Sequence, residues 1–172
     1  VVSNTEDNTV NYYRVTEYFR VRHTESRMYL LEYERNMEKM FEPTKDNYDS
    51  TKIILGIGDT NIDLSESDDG KNLAFVTADR LFAFNITDEK MSLLFSFYDP
   101  QNLNVAELNN EHDIKILNVD ETGNITFMVY GYMNRGMHEG NVGVAVYTYN
   151  SLSSVVSEQV YIPYEKSYEI LK

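Results

Sequence analysis

The sequence predicts an all-β fold of about three four-stranded antiparallel repeats, and three observations carry that reading. The first is an internal period. Arg27-Met28-Tyr29-Leu30-Leu31-Glu32-Tyr33-Glu34 returns as Arg80-Leu81-Phe82-Ala83-Phe84-Asn85-Ile86-Thr87, an offset of 80 − 27 = 53 residues. The second is a turn landmark. Asp69-Gly70-Lys71-Asn72-Leu73-Ala74-Phe75 returns as Thr122-Gly123-Asn124-Ile125-Thr126-Phe127, and 123 − 70 is again 53. The third is a succession of short runs rich in β-branched and aromatic residues, bounded by Gly, Asn and Asp. Repeats of roughly 40–50 residues built from short strands form propeller blades or similar stacked sheets. The units fall at approximately residues 10–58, 59–110 and 111–163, within a single β-rich domain or fragment covering 1–172.

Residues 1–9 are polar and aperiodic, a loose lead-in. Tyr12 to Val21 reads as one long strand or two with a kink. Residues 27–41 are ambiguous. Leu30, Tyr33, Met37 and Met40 recur at helical spacing among good helix formers. Strand is nevertheless favoured, because the equivalent stretch at 80–95 makes a poor helix and equivalent repeats build equivalent units. Residues 43–50 form a polar turn, followed by a short apolar strand from Lys52 to Ile57. The second unit has strands at 61–65, 73–78, 80–86 and 91–98, with Asp69-Gly70 marking a hairpin. Its strands are apolar on both faces, so both faces must be covered. Residues 100–112 are a polar connection with an apolar patch at 103–108. The third unit has strands at 114–119, 125–132, 142–149 and 155–162, with an insertion at 133–141. The tail, 163–172, resembles the lead-in to a further repeat.

Composition narrows the function classes. With 28 acidic against 15 basic residues the net charge is −13, which repels phosphate backbones and anionic membrane surfaces. The densest basic window (Arg14, Arg20, Arg22 and Arg27) is interrupted by Glu17 and Glu25, so no nucleic-acid partner is expected. The absence of cysteine excludes disulfides, thiolate metal sites and cysteine nucleophiles. No run of 18 apolar residues occurs, so no helical segment inserts into a membrane. The chain begins at Val1, which fits a piece of a longer protein whose signal or anchor lies out of view.

Leu64 to Val76, where a strand ends in a polar Asp-Gly turn and restarts as an aliphatic–small–aromatic strand, resembles the blades of TolB-like and WD-repeat β-propellers. Leu117 to Val129 is a weaker copy, with Thr-Gly for Asp-Gly. No Trp-Asp closes a strand and no Gly-His opens one. Tyr130 to Val144 is similar to a stretch in uncharacterised membrane-anchored surface proteins of anaerobic Gram-positive bacteria. That resemblance implies an extracytoplasmic, cell-surface location and carries no activity with it.

The candidate site is the insertion 133–141, since a scaffold's loops carry function more often than its strands. It gathers Asn134, Arg135, His138 and Glu139 between glycines at 131, 136, 140 and 143. Arginine grips carboxylates or phosphates bidentately, and a His–Glu pair suits proton transfer. A glycine-rich hairpin with solvated polar residues accounts for the same composition. Other motifs fail on spacing. His23, His112 and His138 are scattered, without the spacing of a zinc site. Asp59 to Asp63 opens like a calcium loop, but Leu64 and Gly70 stand where glycine and glutamate belong. Gly56 to Thr60 lacks the Gly-Lys-Ser/Thr end of a phosphate loop, and no GxSxG occurs. Neither metal nor cofactor is expected. The leading function is a non-catalytic interaction or sensing module, engaging a protein or glycan and self-associating through open blade edges. The alternatives are a carbohydrate-active hydrolase using paired carboxylates and a purely structural propeller segment.

Overall fold

Pairing of long and short antiparallel strands organises the chain. The computed structural model describes residues 2–6, 9–55, 62–99 and 109–171. The described residues up to Glu42, with Leu55, make one compact unit; residues 43–54 and 62–171 make a second.

The first unit is a sheet in the order β1 (Val2–Glu6), β2 (Thr9–His23), β3 (Met28–Lys39). Three expectations meet their test here. Residues 2–6 are not loose lead-in but strand β1, paired antiparallel with the start of β2. Residues 28–39 are strand, as favoured over helix; cross-strand pairing with β2 from Tyr13↔Lys39 to His23↔Met28 overrides their helical propensity. The four-stranded first repeat is a correction: this sheet has three strands, two of them 15 and 12 residues long. Residues 12–23 contain no Gly, Pro, Asn, Asp or Ser to break the strand, so it runs through. Residues 43–54 belong to the second unit, and within this segment an isolated antiparallel bridge joins Tyr48 to Ile53. The end of the strand expected at 52–57, the residues 59–61 of the calcium-like opening and the patch 103–108 lie outside the described residues.

The second unit holds two four-stranded antiparallel meanders. One runs β4 (Leu64–Glu66), β5 (Asn72–Thr77), β6 (Arg80–Asn85), β7 (Lys90–Ser96). The other runs β8 (His112–Val119), β9 (Ile125–Tyr132), β10 (Val142–Asn150), β11 (Val155–Pro163). The period survives in the strand starts: β5 and β9 begin 125 − 72 = 53 residues apart, whereas β6 and β10 begin 142 − 80 = 62 apart. The nine added residues are 133–141. Equivalent turns explain the landmark. Gly70 (φ 68°) and Gly123 (φ 81°) occupy the left-handed region at matching places, each donating its N–H three residues back, to Ser67 O (2.8 Å) and Asp120 O (3.0 Å). The β5–β6 turn consists of Ala78 and Asp79 alone, with φ of 49° and 54°, the positive pair that a twisted two-residue hairpin demands.

The core lies between the meanders. Ala74 and Leu81 from the first, with Phe97 just past β7, meet Ile114, Ile125, Phe127, Val129 and Ala145 from the second. Asp63 ties the sheets at their edge, accepting the Ile116 N–H (2.9 Å) and pairing with Lys115 (3.3 Å). The first meander is buried on both faces: Phe75 stacks on Phe82 (5.5 Å) and Tyr48 meets Phe84 edge-on (5.4 Å) behind it. In β9 burial alternates strictly, so that strand is covered on one face. No sheet closes on itself among the described residues. The tail carries a short helix, α1 (Tyr168–Leu171), that buries Tyr168, whose hydroxyl donates to Asp113 of β8.

Candidate functional site

Residues 133–141 form a closed hairpin loop between β9 and β10. The Met133 N–H donates to Asn141 O (2.9 Å) and the Gly140 N–H to Met133 O (2.9 Å), while Met133 itself is buried. The four glycines divide into two kinds. Gly136 (φ 90°) and Gly140 (φ 83°) bend the loop in open space. Gly131 and Gly143 are cross-strand partners where neighbours press close: a Cβ at Gly131 would lie 2.3 Å from Glu111 O, and one at Gly143 would lie 2.5 Å from the Tyr161 hydroxyl.

The loop holds its four candidate side chains apart. Asn134 is fully buried and donates to Asn109 O (2.7 Å). Arg135 reaches Asp99 across 3.4 Å. Glu139 faces solvent. His138 enters a cluster: its Nε2 lies 2.9 Å from Glu158 Oε1, and its ring stacks on Tyr161 at 3.6 Å with planes 8° apart.

That cluster comes from β10 and β11. Tyr147 stands opposite Glu158, beside the bulge that separates them from Val146↔Val160. Burial first, then the Glu158 charge and its hydrogen bond, push the Tyr147 hydroxyl up to about 12. Burial and the same charge raise Tyr161. The arrangement positions an imidazole against a carboxylate, the geometry of an oriented proton carrier. Glu158, Tyr147 and Tyr161 carry no motif in the sequence; only strand register brings them to His138. Among the described residues no three His, Cys, Asp or Glu side chains gather as metal ligands. His112 is buried edge-on against Phe97 (4.8 Å).

A cleft of about 240 Å³ opens elsewhere in the second unit, lined by Asn72, Asn85, Lys90, Tyr149 and Ser151 among others. Ligand pockets run to roughly 300–1,000 Å³. Its polar groups also satisfy one another: Asn85 donates to Asn72 Oδ1 (2.8 Å), Asn72 to Glu121 O (3.1 Å), and Ser151 to Thr122 O (2.6 Å).

The first unit carries a run of exposed large apolar side chains along its two long strands. Strand alternation sorts the β2–β3 ribbon into two unlike faces. One carries Val15, Phe19, Val21, Met28, Leu30, Tyr33 and Met37, with the Glu17–Arg35 pair (3.8 Å) among them. Phe19 and Tyr33 touch (4.9 Å), and the Tyr33 hydroxyl donates to Glu17 (2.6 Å). The other carries Arg14, Thr16, Tyr18, Arg20, Glu32, Glu34, Asn36 and Glu38, with Arg20 facing Glu32 (3.7 Å).

No family model matches this chain, and no curated protein or solved structure matches it either.

Proposed function

We propose that this chain is a non-catalytic interaction module, and that the apolar face of the β2–β3 ribbon is its principal docking surface. One observation carries the reading: Phe19, Val21, Met28, Leu30, Tyr33 and Met37 stand on one face of the ribbon, each between 45% and 63% exposed. Contiguous apolar patches of that kind mark interaction surfaces in soluble proteins. A ribbon of two long strands is also marginally stable alone, so covering the face stabilises the ribbon as it binds the partner. The extracytoplasmic setting rests on the resemblance of Tyr130 to Val144 to bacterial surface proteins. The propeller-like parentage rests on the 53-residue period and the two blade-like meanders. The loop 133–141 is a secondary contact, in which Glu139 faces solvent and Arg135 is half-buried.

Site-specific photo-cross-linking tests the reading. A photoreactive residue replaces Leu30 on the apolar face or Thr16 on the opposite one, and the chain is exposed to a cell-envelope extract of its own source. Cross-links from position 30 with position 16 silent are the expected result. Equal capture from both positions, or none from either, overturns it.

A further inference from the structure

We infer that the partner of this face is a second copy of the chain, stacked ribbon on ribbon about a two-fold axis running along the strands. This rests on the preceding reading of the ribbon as a docking surface and names its occupant. Three observations carry it.

The first is charge. Residues 9–42 contain six basic and six acidic residues, while the whole chain carries −13. The acidic excess therefore lies outside the ribbon, and two ribbons meet without net repulsion.

The second is register. Val15 pairs with Met37, Glu17 with Arg35, Phe19 with Tyr33 and Val21 with Leu30. A two-fold along the strands lays β2 of one copy over β3 of the other at the same height. Each Glu17 then faces the second copy's Arg35, and the three apolar pairs face apolar pairs. A two-fold across the strands would instead set Glu17 against Glu17. The face is thus complementary to itself in one orientation, as an isologous interface requires. The ion pairs stay satisfied in the middle, where the Tyr33 hydroxyl already donates to Glu17.

The third is area. Six large side chains about half exposed present on the order of 600 Å² per copy, or roughly 1,200 Å² for the pair, the lower end of stable interfaces.

Sedimentation velocity on the full chain over a concentration series tests the inference. Wild type is expected to approach twice the 20.0 kDa chain mass. E17R and R35E each set like charges face to face, so each is expected to sediment as a single chain. Mixing the two restores opposite charges across the interface and returns the dimer, which a folding defect in either variant would not do. F19D is expected to weaken dimerisation about tenfold or more, while T16K on the opposite face leaves it unchanged. A wild-type chain that stays at single mass at about 100 µM overturns the inference, as does a dimer indifferent to F19D and E17R. If the chain is monomeric yet position 30 cross-links to a different protein, self-pairing fails and the docking surface stands. If position 30 captures nothing and no dimer forms, both fail.

Discussion

At the scale of single residues, backbone geometry decides more than side-chain identity. Gly131 and Gly136 look alike in the sequence, but of the two only Gly131 is enclosed: a Cβ there would lie 2.3 Å from Glu111 O and 2.8 Å from the Tyr168 ring. G131A is expected to lower the urea-derived stability by about 3 kcal/mol or more through overpacking and strain. G136A meets only its positive φ, at about 1 kcal/mol; equal losses would contradict the close approach. Ala78 is the converse, a residue with a Cβ held at φ 49°. Asparagine tolerates that region better, so A78N is expected to raise stability by about 0.5–1 kcal/mol in the same measurement. Tyr147 predicts an alkaline limb. Its folded pKa is raised, so its contribution is complete below pH 10.0 and disappears as pH rises toward about 12. Discounted for a half-exposed ring, that is about 1 kcal/mol. Y147F should flatten the stability profile between pH 10 and 12, and an unchanged profile would show that the hydroxyl is not held this way.

At the scale of elements, the turns account for the repeat. In the β8–β9 turn Asp120 Oδ1 accepts from the Thr122 N–H (2.9 Å), the Thr122 hydroxyl (2.7 Å) and the Asn124 N–H (2.8 Å). In the β4–β5 turn Asp69 accepts from the Ser67 hydroxyl (2.7 Å) and the Lys71 N–H (3.1 Å). Burial tends to raise Asp120, but those hydrogen bonds outweigh it and hold the carboxyl low. Lys71 and Ser67 hold Asp69 down at about 2. Depressed carboxylates stabilise above their unfolded value of 3.8 and lose that contribution as pH falls through the folded value. The urea midpoint should therefore fall between pH 3.8 and about 2, and more shallowly in D69N and D120N; parallel profiles would remove the turns from the acid limb. These eight strands were legible because Gly70, Gly123 and the alternating apolar runs are local signals. The length of β2 was legible only in reverse, through the missing turn residues between 12 and 23. The candidate site was poorly legible: Asn134, Arg135, His138 and Glu139 are adjacent in sequence but point to different neighbours, and Glu158 joins His138 only through the register of β11 on β10.

At the scale of the whole molecule, the two units differ in what stabilises them. The continuous core, from Ala74 to Tyr149, belongs to the second unit. The ribbon of the first unit carries its large apolar side chains exposed. Stability scales with apolar surface removed from water, so the folding free energy should reside in the second unit. A chain beginning at Pro43 retains that core entire. It is expected to give a cooperative urea transition with a slope of about 1–3 kcal/mol per molar, as a small domain does. The remaining charge is unbalanced, since residues 43–172 hold 20 acidic and nine basic side chains. Added salt screens that repulsion and should move the fragment's midpoint upward, without the matching gain in a peptide of residues 9–42, whose charges cancel. A fragment that melts without cooperativity would instead mean that β1 to β3 are required for the core to form, and that the ribbon belongs to the folding nucleus rather than to a docking surface.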